Sequence, residues 1–557
     1  MRFQYRVLVM PLVGLINGFW PPAFAVDLPN SGNQIQQIPP SPTVQKVVPP
    51  LDLTLAPQVT DAAADSQAIQ IQELKFTGAT KYSSEALTTA AGFTPGSMLS
   101  LNDLRTMAGK ITEHYRKNGY FVAFANIPAQ DIIGGGVQIT IYEGKYGTIT
   151  INNNSRVRDV TVQGLIKDIK ADDVIAAAPL ENGLLLLADL PGLKLSTTLS
   201  AGSVVNTSNL DINIDSGPRV TGSVDADNAG NRYTGRERIG ATIYLNELTG
   251  FGDVATLRVL SSFQGLDFAR ATYQAQFGKA KVGLSYTALS YKLGREFKSL
   301  ENNGSARIAS VFGSYPFIRS RRANLMGQWS WSDSTFIDRQ DAVTPALSSR
   351  KTTRVWNIGL SADRLDEFGR GGANTAYINW SHGVLDLQTD AVRAFDASSA
   401  RSNGTYNKMN VGLTREQSLG NAFSLYAAYN GQYAINNLDA SEKSSLGGIG
   451  GVRAYPSGEV NADSTQTLTV ELRKQISARF QVIGFVDSGK ATINYKPWAA
   501  VTTPNHRTLS GAGVGVNWFG RDRLVVRSYL ATRLGSEPVT SAPDSSSRFW
   551  LQAVRYF

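Results

Sequence analysis

From Pro218 to the C-terminal Phe557, the chain alternates between apolar and polar residues in short segments separated by Gly, Asn, Asp and Ser. One such segment places apolar Leu468, Val470 and Leu472 between polar Thr467, Thr469, Glu471 and Arg473. Period-two alternation in segments of about 9–11 residues is typical of transmembrane β-strands. Because every backbone amide in lipid needs a partner, such strands must close into a barrel. The pattern predicts a transmembrane β-barrel over residues 218–557; soluble β-sandwich domains are the alternative.

The composition favours the barrel and excludes other classes of protein. Beyond the N-terminus, no uncharged apolar run approaches the roughly 20 residues of a membrane-spanning helix, which argues against a polytopic helical protein. The absence of cysteine excludes disulfide scaffolds and thiolate metal sites. The 52 glycines and the terminal aromatic Phe557 fit a barrel better than a sandwich.

The N-terminus has the features of a secretory signal peptide. Arg2 and Arg6 precede an apolar stretch, Val7–Leu15, and Ala23-Phe24-Ala25 matches an A-x-A cleavage site. A membrane anchor is the alternative, but prolines interrupt any spanning helix. We therefore predict a signal peptide over residues 1–25 and export of the mature chain from the cytoplasm.

The next segment, residues 26–68, contains seven prolines and five charged residues, and no apolar period holds along it. Such a segment cannot bury enough apolar surface to offset its ordering entropy, so we predict an extended linker.

Two α+β units of about 75 residues follow, residues 69–146 and 147–217, and they share one predicted element order. The first has predicted strands at 69–76, 120–127 and 137–142 and helices at 84–91 and from Ser100 to Gly119. The second has predicted strands at 148–151, 193–199 and 210–214 and helices near 159–170 and 181–189. The order β-α-α-β-β in both units indicates a tandem repeat.

Three stretches together resemble the two-partner secretion transporters, the TpsB family. They are Gly119–Gln130, which ends in Pro-x-Gln; Gly450–Glu459, a VRGY-type loop; and Phe485–Gly489, an F-x-D-x-G strand. The resemblance implies a membrane all-β fold: a 16-stranded outer-membrane barrel preceded by two small periplasmic POTRA domains of α+β type. Some relatives begin with a helix that plugs the pore, and Asn30 to Ile38 is the short candidate here.

The resemblance also implies a site inside the barrel. Its loop motif is Gly451, Val452, Arg453, Ala454 and Tyr455, and its strand motif is Phe485, Asp487 and Gly489. In the family the loop arginine pairs with the strand aspartate, so Arg453 is expected to pair with Asp487. Physics supports this expectation, because a buried carboxylate needs a counterion and arginine offers a planar fork for it. A surface hairpin with a solvated Arg453 is the alternative.

The sequence departs from the family pattern at two places in this loop. Ala454 stands where many relatives have glycine, and 462–465 lacks the Gly-Asp-x-Gly pattern expected after Glu459. These departures bear on the local geometry of the loop.

By resemblance, the chain is expected to secrete a partner exoprotein, an adhesin, cytolysin or similar, from the periplasm to the cell surface in unfolded form. The POTRA domains are expected to bind the exoprotein, and the barrel to sit in outer-membrane lipid. An assembly factor that inserts barrel proteins is the alternative, although it would usually carry more POTRA repeats. A passive porin or surface adhesin is a third hypothesis.

Nothing in the sequence points to an enzyme, a metal or a cofactor. His114, His382 and His506 lie far apart without ligand spacing. Asp225 and Asp227 share one face of a strand, where polar lumen lining is favoured over a catalytic pair. The net charge of +9 is dispersed, so no nucleic-acid partner is expected.

Overall fold

The computed structural model describes residues 29–42, 52–53, 67–501 and 503–557. The predicted signal peptide, residues 1–25, lies outside the described residues, and so does most of the predicted linker. None of the described helices has the length and apolar composition needed to cross a membrane.

The described residues form six α-helices and one 3-10 helix, Arg295–Leu300. The α-helices are α1 (Ser31–Gln36), α2 (Ser84–Ala91), α3 (Leu101–Lys117), α4 (Asp159–Ile166), α5 (Ala177–Ala188) and α6 (Asp390–Ser398). The strands before the barrel are β1 (Asp52–Leu53), β2 (Ile69–Ile71), β3 (Glu73–Thr77), β4 (Ser97–Leu99), β5 (Phe124–Asn126), β6 (Gly136–Tyr142), β7 (Lys145–Asn154), β8 (Leu193–Ala201) and β9 (Thr207–Ser216).

The remaining strands begin at Val220. They are β10 (Val220–Asp227), β11 (Arg238–Asn246), β12 (Val254–Ser261), β13 (Leu266–Phe277), β14 (Ala280–Lys292), β15 (Asn302–Arg319), β16 (Ala323–Gln340), β17 (Leu347–Asp366), β18 (Gly372–Leu387), β19 (Gly404–Gly420), β20 (Phe423–Ala434), β21 (Ser444–Ser445), β22 (Asn461–Ala462), β23 (Ser464–Ser477), β24 (Phe480–Thr492), β25 (His506–Phe519), β26 (Leu524–Arg533) and β27 (Ser547–Tyr556).

The first α+β unit packs α2 and α3 on a sheet of order β3-β6-β5. The predicted helices are present, and Ser100 and Asp103 form a capping box at the start of α3. The short strand β4 was not predicted; it lies between the two helices and pairs with β2. Its three residues are too few to show an alternation, so the true order is β-β-α-β-α-β-β.

The second unit packs α4 and α5 on a sheet of order β1-β8-β9-β7. The edge strand β1 comes from the predicted linker and pairs in parallel with Thr198 and Leu199 of β8. The prediction of an extended linker did not include β1, whereas α1 lies within Asn30–Ile38, the short candidate for a plug. Both elements are too short to carry a detectable apolar period.

The second unit is docked on turns at one end of the barrel. Arg319, at the β15–β16 turn, donates from Nε and Nη2 to the two carboxylate oxygens of Asp189, at 2.7 and 2.9 Å. At the β13–β14 turn, Lys279 lies 2.8 Å from Asp168. These ion pairs join the end of α5 and the residues after α4 to the barrel rim.

The β11–β12 turn completes this junction. The backbone N–H of Arg158 donates to the carbonyl of Gly250 at 2.9 Å, and its guanidinium lies 4.0 Å from the ring centroid of Phe251. Glu247 begins the same turn and is buried. Burial raises the pKa of its carboxyl to about 7, an effect that Arg156 of the second unit opposes.

Sixteen strands, β10–β20 and β23–β27, form a closed antiparallel barrel in chain order. The seam joins Ser223–Asp227 of β10 to Gln552–Tyr556 of β27. Beyond those five pairs, Gly222 and Phe557 exchange two backbone hydrogen bonds of 3.1 and 3.0 Å. The ring of Phe557 lies so close that a Cβ on Gly222 would meet it at 2.5 Å. The predicted C-terminal strand therefore closes the barrel.

The predicted alternation separates an outer apolar surface from a polar lumen. On β23, for example, Leu468, Val470 and Leu472 are exposed on the outside, whereas Glu471 is buried inside. The two aspartates of β10 also face inward. Asp225 pairs with Arg258 and Asp227 with Arg238, so both serve as structural counterions of the inner wall.

Candidate functional site

A long loop between β20 and β23, residues 435–463, folds back into the lumen. Its two ends are joined by pairing of β21 with β22, which includes Ala462, where the family pattern is broken. The motif Gly451–Tyr455 lies between these strands. Val452, Ala454 and Tyr455 are buried completely and join a cluster with the inner wall. The loop is therefore packed against the wall, not solvated.

The structure brings Arg453 and Asp487 together in a bidentate pair. Nε of Arg453 donates to Oδ2 of Asp487 at 2.8 Å, and Nη2 donates to Oδ1 at 2.8 Å. The backbone N–H of Arg453 adds a third bond to Oδ2 at 3.1 Å. Thr469 on β23 donates to Oδ1 at 3.0 Å. The wall carboxylate thus fixes both the side chain and the backbone of the loop arginine.

Sequence reasoning missed a second counterion, Glu471 on β23. Nη1 of Arg453 donates to its Oε1 at 2.7 Å, and Arg473 binds its other oxygen at 2.8 Å. Arg473 in turn lies 3.1 Å from Glu416 on β19. Side-chain exposure rises along this row from 1% at Asp487 to 42% at Glu416. The row of alternating charged side chains therefore runs from a buried pocket to a more exposed part of the inner wall.

Aromatic rings complete the pocket around Arg453. Its guanidinium lies 3.5 Å from the ring centroid of Phe485 and 5.1 Å from that of Tyr529. Trp550, on the last strand, donates from Nε1 to the carbonyl of Arg453 at 2.7 Å. Phe485 of the predicted strand motif thus serves as the floor of the arginine pocket.

Two wall glycines leave room for the loop. A Cβ on Gly489 would lie 2.7 Å from Leu446 and 3.1 Å from Val452, both loop residues. A Cβ on Gly511 would lie 2.5 Å from the Cβ of Ala454. Gly489, the last residue of the strand motif, is therefore a place where any side chain would displace the loop.

The motif ends in a buried carboxylate that sequence reasoning quoted without assigning it a role. Glu459 accepts hydrogen bonds from the backbone N–H groups of Thr540 and Ser541 and from Arg507. Thr540 and Ser541 belong to the loop between β26 and β27. Tyr455 reaches the same loop, because its hydroxyl donates to the carbonyl of Glu537 at 3.0 Å. The lumen loop is therefore tied to a neighbouring loop at the barrel rim.

Helix α1 lies within Asn30–Ile38, the candidate plug, and it occupies the lumen beside the loop. The backbone N–H and hydroxyl of Ser31 donate to Asp338 on β16 at 2.8 and 3.0 Å. Thr234 donates to Gln34 at 2.9 Å, and Ile35 packs on an inner-wall cluster. Two of these hydrogen bonds end on the carboxylate of Asp338, but α1 itself has no charged side chain, so it forms no ion pair within the described residues.

Among the described residues, no group of three or more His, Asp or Glu side chains is placed to hold a metal ion. The candidate site, called the loop seat below, is therefore the pocket of the barrel wall that holds the loop through the Arg453–Asp487 ion pair.

Family models match both parts of the chain. The model described as "POTRA domain, ShlB-type" matches residues 69–144, the first α+β unit. The model described as "Haemolysin secretion/activation protein ShlB/FhaC/HecB" matches residues 206–518, which include the lumen loop and Asp487. The chain belongs to this family. It is an outer-membrane two-partner secretion transporter with its POTRA domains in the periplasm, which places the junction turns on the periplasmic side.

Curated relatives agree with the ShlB/FhaC/HecB assignment. The heme/hemopexin transporter protein HuxB of Haemophilus influenzae is 31% identical over 472 residues, covering 83% of this chain and 82% of HuxB. The outer membrane transporter CdiB of Dickeya dadantii is 22% identical and covers 72% of each chain. These relatives favour secretion over the alternative of an assembly factor.

Solved structures show the same fold. CdiB from Escherichia coli superposes with a TM-score of 0.70 at 17% identity, covering 90% of this chain and 93% of that one. BamA from Haemophilus ducreyi lacking POTRA domains 1–3 gives a TM-score of 0.50 at 12% identity, covering 88% and 100%. The fold of this ShlB-type transporter is thus shared by proteins of low sequence identity.

Proposed function

We propose that this transporter passes its exoprotein through the barrel lumen in unfolded form, without catalysis by the chain itself. The observation that supports this is the filling of the lumen by α1 and the Arg453 loop. A 16-stranded barrel encloses a channel, and the space that one of these occupants would vacate suits an extended chain and not a folded domain. Room for that chain requires one of the two occupants to leave.

The anchors of the two occupants differ in strength, and we propose that α1 leaves while the loop stays. The two bonds from Ser31 to the Asp338 carboxylate contribute about 1.5–3 kcal/mol each and the neutral bonds of α1 about 0.5–1.5 kcal/mol, and water can replace them when α1 leaves. The loop is held by a buried ion pair whose disruption costs about 3–5 kcal/mol. The Arg453 loop then shapes the passage, and Arg453 and Asp487 are the residues that fix its position.

We propose that the periplasmic domains bind the exoprotein by strand addition to a sheet edge. In the second unit β1 already pairs with β8, so the incoming strand would have to displace Asp52–Leu53 there. In the first unit β5 forms an edge, and Phe124 lies exposed on it. Because its edge strand carries this exposed apolar ring, the first unit is the proposed entry point for the exoprotein, and β7 at the other edge of the second sheet is the alternative.

Three further assignments belong to the same proposal. The domain limits are 1–25 for a signal peptide, 26–68 for the linker, 69–146 and 147–217 for two POTRA domains and 218–557 for the barrel. The strand ending in Phe557 is the proposed contact with the barrel-assembly machinery, and the outer wall contacts outer-membrane lipid.

A deletion strain compared with its parent tests the proposed function. Quantification of the supernatant and cell-surface proteomes should show the loss of one large exoprotein, with the outer-membrane proteome unchanged. The name of HuxB makes heme and hemopexin the first ligands to test on that exoprotein. A broad fall in outer-membrane barrels would contradict the proposal and favour an assembly factor.

A further inference from the structure

Two arginines on the outer surface of the barrel make no polar contact with another described side chain. Arg307 lies on β15 and Arg354 on β17, and both side chains are exposed. Their chain neighbours Ala306 and Val355 are buried inside the barrel, so alternation directs both arginines outward. Within the described residues, neither guanidinium forms a hydrogen bond, an ion pair or a ring contact.

The sequence of β17 gives the depth of Arg354 in the membrane. Outward-facing Trp356, Ile358, Leu360 and Ala362 separate Arg354 from the next outward arginine, Arg364. Ten residues at about 3.3 Å each, tilted by about 40°, span about 25 Å, which is the height of the apolar band of such barrels. Arg354 and Arg364 therefore mark the two borders of the apolar band. Arg364 is near the periplasmic turns, so Arg354 lies at the outer border.

Arg307 lies at the same border. It pairs in the register with Thr335 on β16, which pairs with Thr352, two residues from Arg354. Two strand spacings of about 4.8 Å separate β15 from β17, so both arginines can reach one headgroup. Just inside the border, the rings of Trp331 and Trp356 lie 6.5 Å apart, as expected where hydrocarbon meets headgroups.

We propose that Arg307 and Arg354, with the hydroxyls of Thr335 and Thr352 between them, bind a phosphate of an outer-leaflet glycolipid. An unpaired guanidinium offers its planar set of donors to a phosphate, and the outer leaflet of a bacterial outer membrane presents phosphorylated glycolipid at this depth. Asp333 lies opposite Arg354 in the register but makes no ion pair with it, so the donors stay open. The site would fix the depth of this wall in the membrane.

The full chain in detergent, incubated with purified lipid A, tests the proposal by native mass spectrometry. The wild type should retain lipid A, and the double variant R307Q/R354Q should retain it more than about tenfold less strongly. Arg364→Gln is the matched control, because it removes an outward arginine at the opposite border. It should retain lipid A like the wild type, and heat-modifiable migration in gels should show that every variant is folded.

Three further arms identify the source of the phosphate. Dephosphorylated lipid A should bind as weakly as lipid A binds to the double variant. Phosphatidylglycerol should bind more weakly than lipid A, and millimolar inorganic phosphate should not displace the glycolipid. Equal retention of lipid A by the wild type and the double variant would overturn the proposal. Equal binding of the dephosphorylated form or of phosphatidylglycerol, or displacement by inorganic phosphate, would also overturn it.

Discussion

Two arginine–aspartate pairs hold parts of this transporter together with almost the same geometry. Arg453 and Asp487 in the lumen are joined by two bonds of 2.8 Å, and Arg319 and Asp189 at the periplasmic junction by bonds of 2.7 and 2.9 Å. The lumen side chains are 5% and 1% exposed, and the junction side chains are 17% and 29% exposed. Bond length alone therefore says little about how firmly a contact is held.

The difference lies in what replaces the bond when it breaks. Water reaches the junction and can solvate both charges, so that pair opens at little cost. In the lumen, the freed carboxylate would stay in a dry pocket without a counterion. We therefore expect the loop to stay in place as part of the channel wall, and the periplasmic unit to undock more readily.

Arg453→Ala should have the largest effect, because it leaves Asp487 buried without a cation and leaves Glu471 with Arg473 alone. We expect loss of most secretion and weakening of the loop seat by about 3–5 kcal/mol, while the barrel still inserts. The amount of secreted exoprotein and heat-modifiable migration measure the two effects. The more exposed Arg473→Ala is the control and should secrete better.

Asp487→Ala should reduce secretion less than Arg453→Ala. Arg453 keeps Glu471 at 2.7 Å in this variant, so its charge stays partly compensated. A double-mutant cycle over Arg453 and Asp487 gives the coupling energy of the pair. Normal secretion by both single variants would contradict the role assigned to the pair.

Gly489→Ala tests the seat without changing any charge. Its Cβ would press on Leu446 and Val452, which should cost about 1–3 kcal/mol and lower secretion. Gly484→Ala on the same strand is the matched control, because a Cβ there meets nothing within 4 Å. Protease accessibility of the loop in intact cells should rise only for Gly489→Ala. Equal behaviour of the two variants would show that the close approach does not matter.

Arg319→Ala should have a smaller effect on secretion, and its effect on docking of the second unit should depend on salt. Loss of a pair that water can reach costs about 1 kcal/mol, and salt screens it. Spin labels on the second unit and on the barrel rim should report a broader distance distribution in the variant, with secretion reduced only slightly. Lys117→Ala, which removes an exposed pair within the first unit, should leave that distribution unchanged. A secretion defect as large as that of Arg453→Ala would contradict the proposed difference in strength between the junction pair and the lumen pair.

The smallest effect concerns pH at the same junction. Because burial raises the pKa of Glu247 to about 7, the docked state takes up a proton between the ordinary pKa and pH 7. Docking should therefore be firmest at low pH and weaken as the pH rises through about 7. The same spin-label distances at pH 5.5 and 8 measure this. Glu247→Gln should abolish the difference, and a dependence of opposite sign would disprove it.

The features that repeat along the chain could be predicted from the sequence alone. Period-two alternation gave the barrel, and the stripe of α3 gave the helical face of the first unit. Glu471 could have been proposed as lumen-facing from its place between Thr469 and Arg473. Its bond to Arg453 could not, because that depends on where a loop docks across three strands. Helix α1 was equally hard to place, since its polar residues are buried only by the barrel around them.

The hydrogen bond from Trp550 to the carbonyl of Arg453 has a consequence for biogenesis. Trp550 belongs to the sixteenth and last barrel strand, whereas Arg453 precedes the twelfth. The seat of the loop is therefore complete only after the final strand has been added beside the first. In a barrel that has not yet closed, the Arg453 pocket lacks Trp550. A loop in its native position therefore indicates that the barrel is closed.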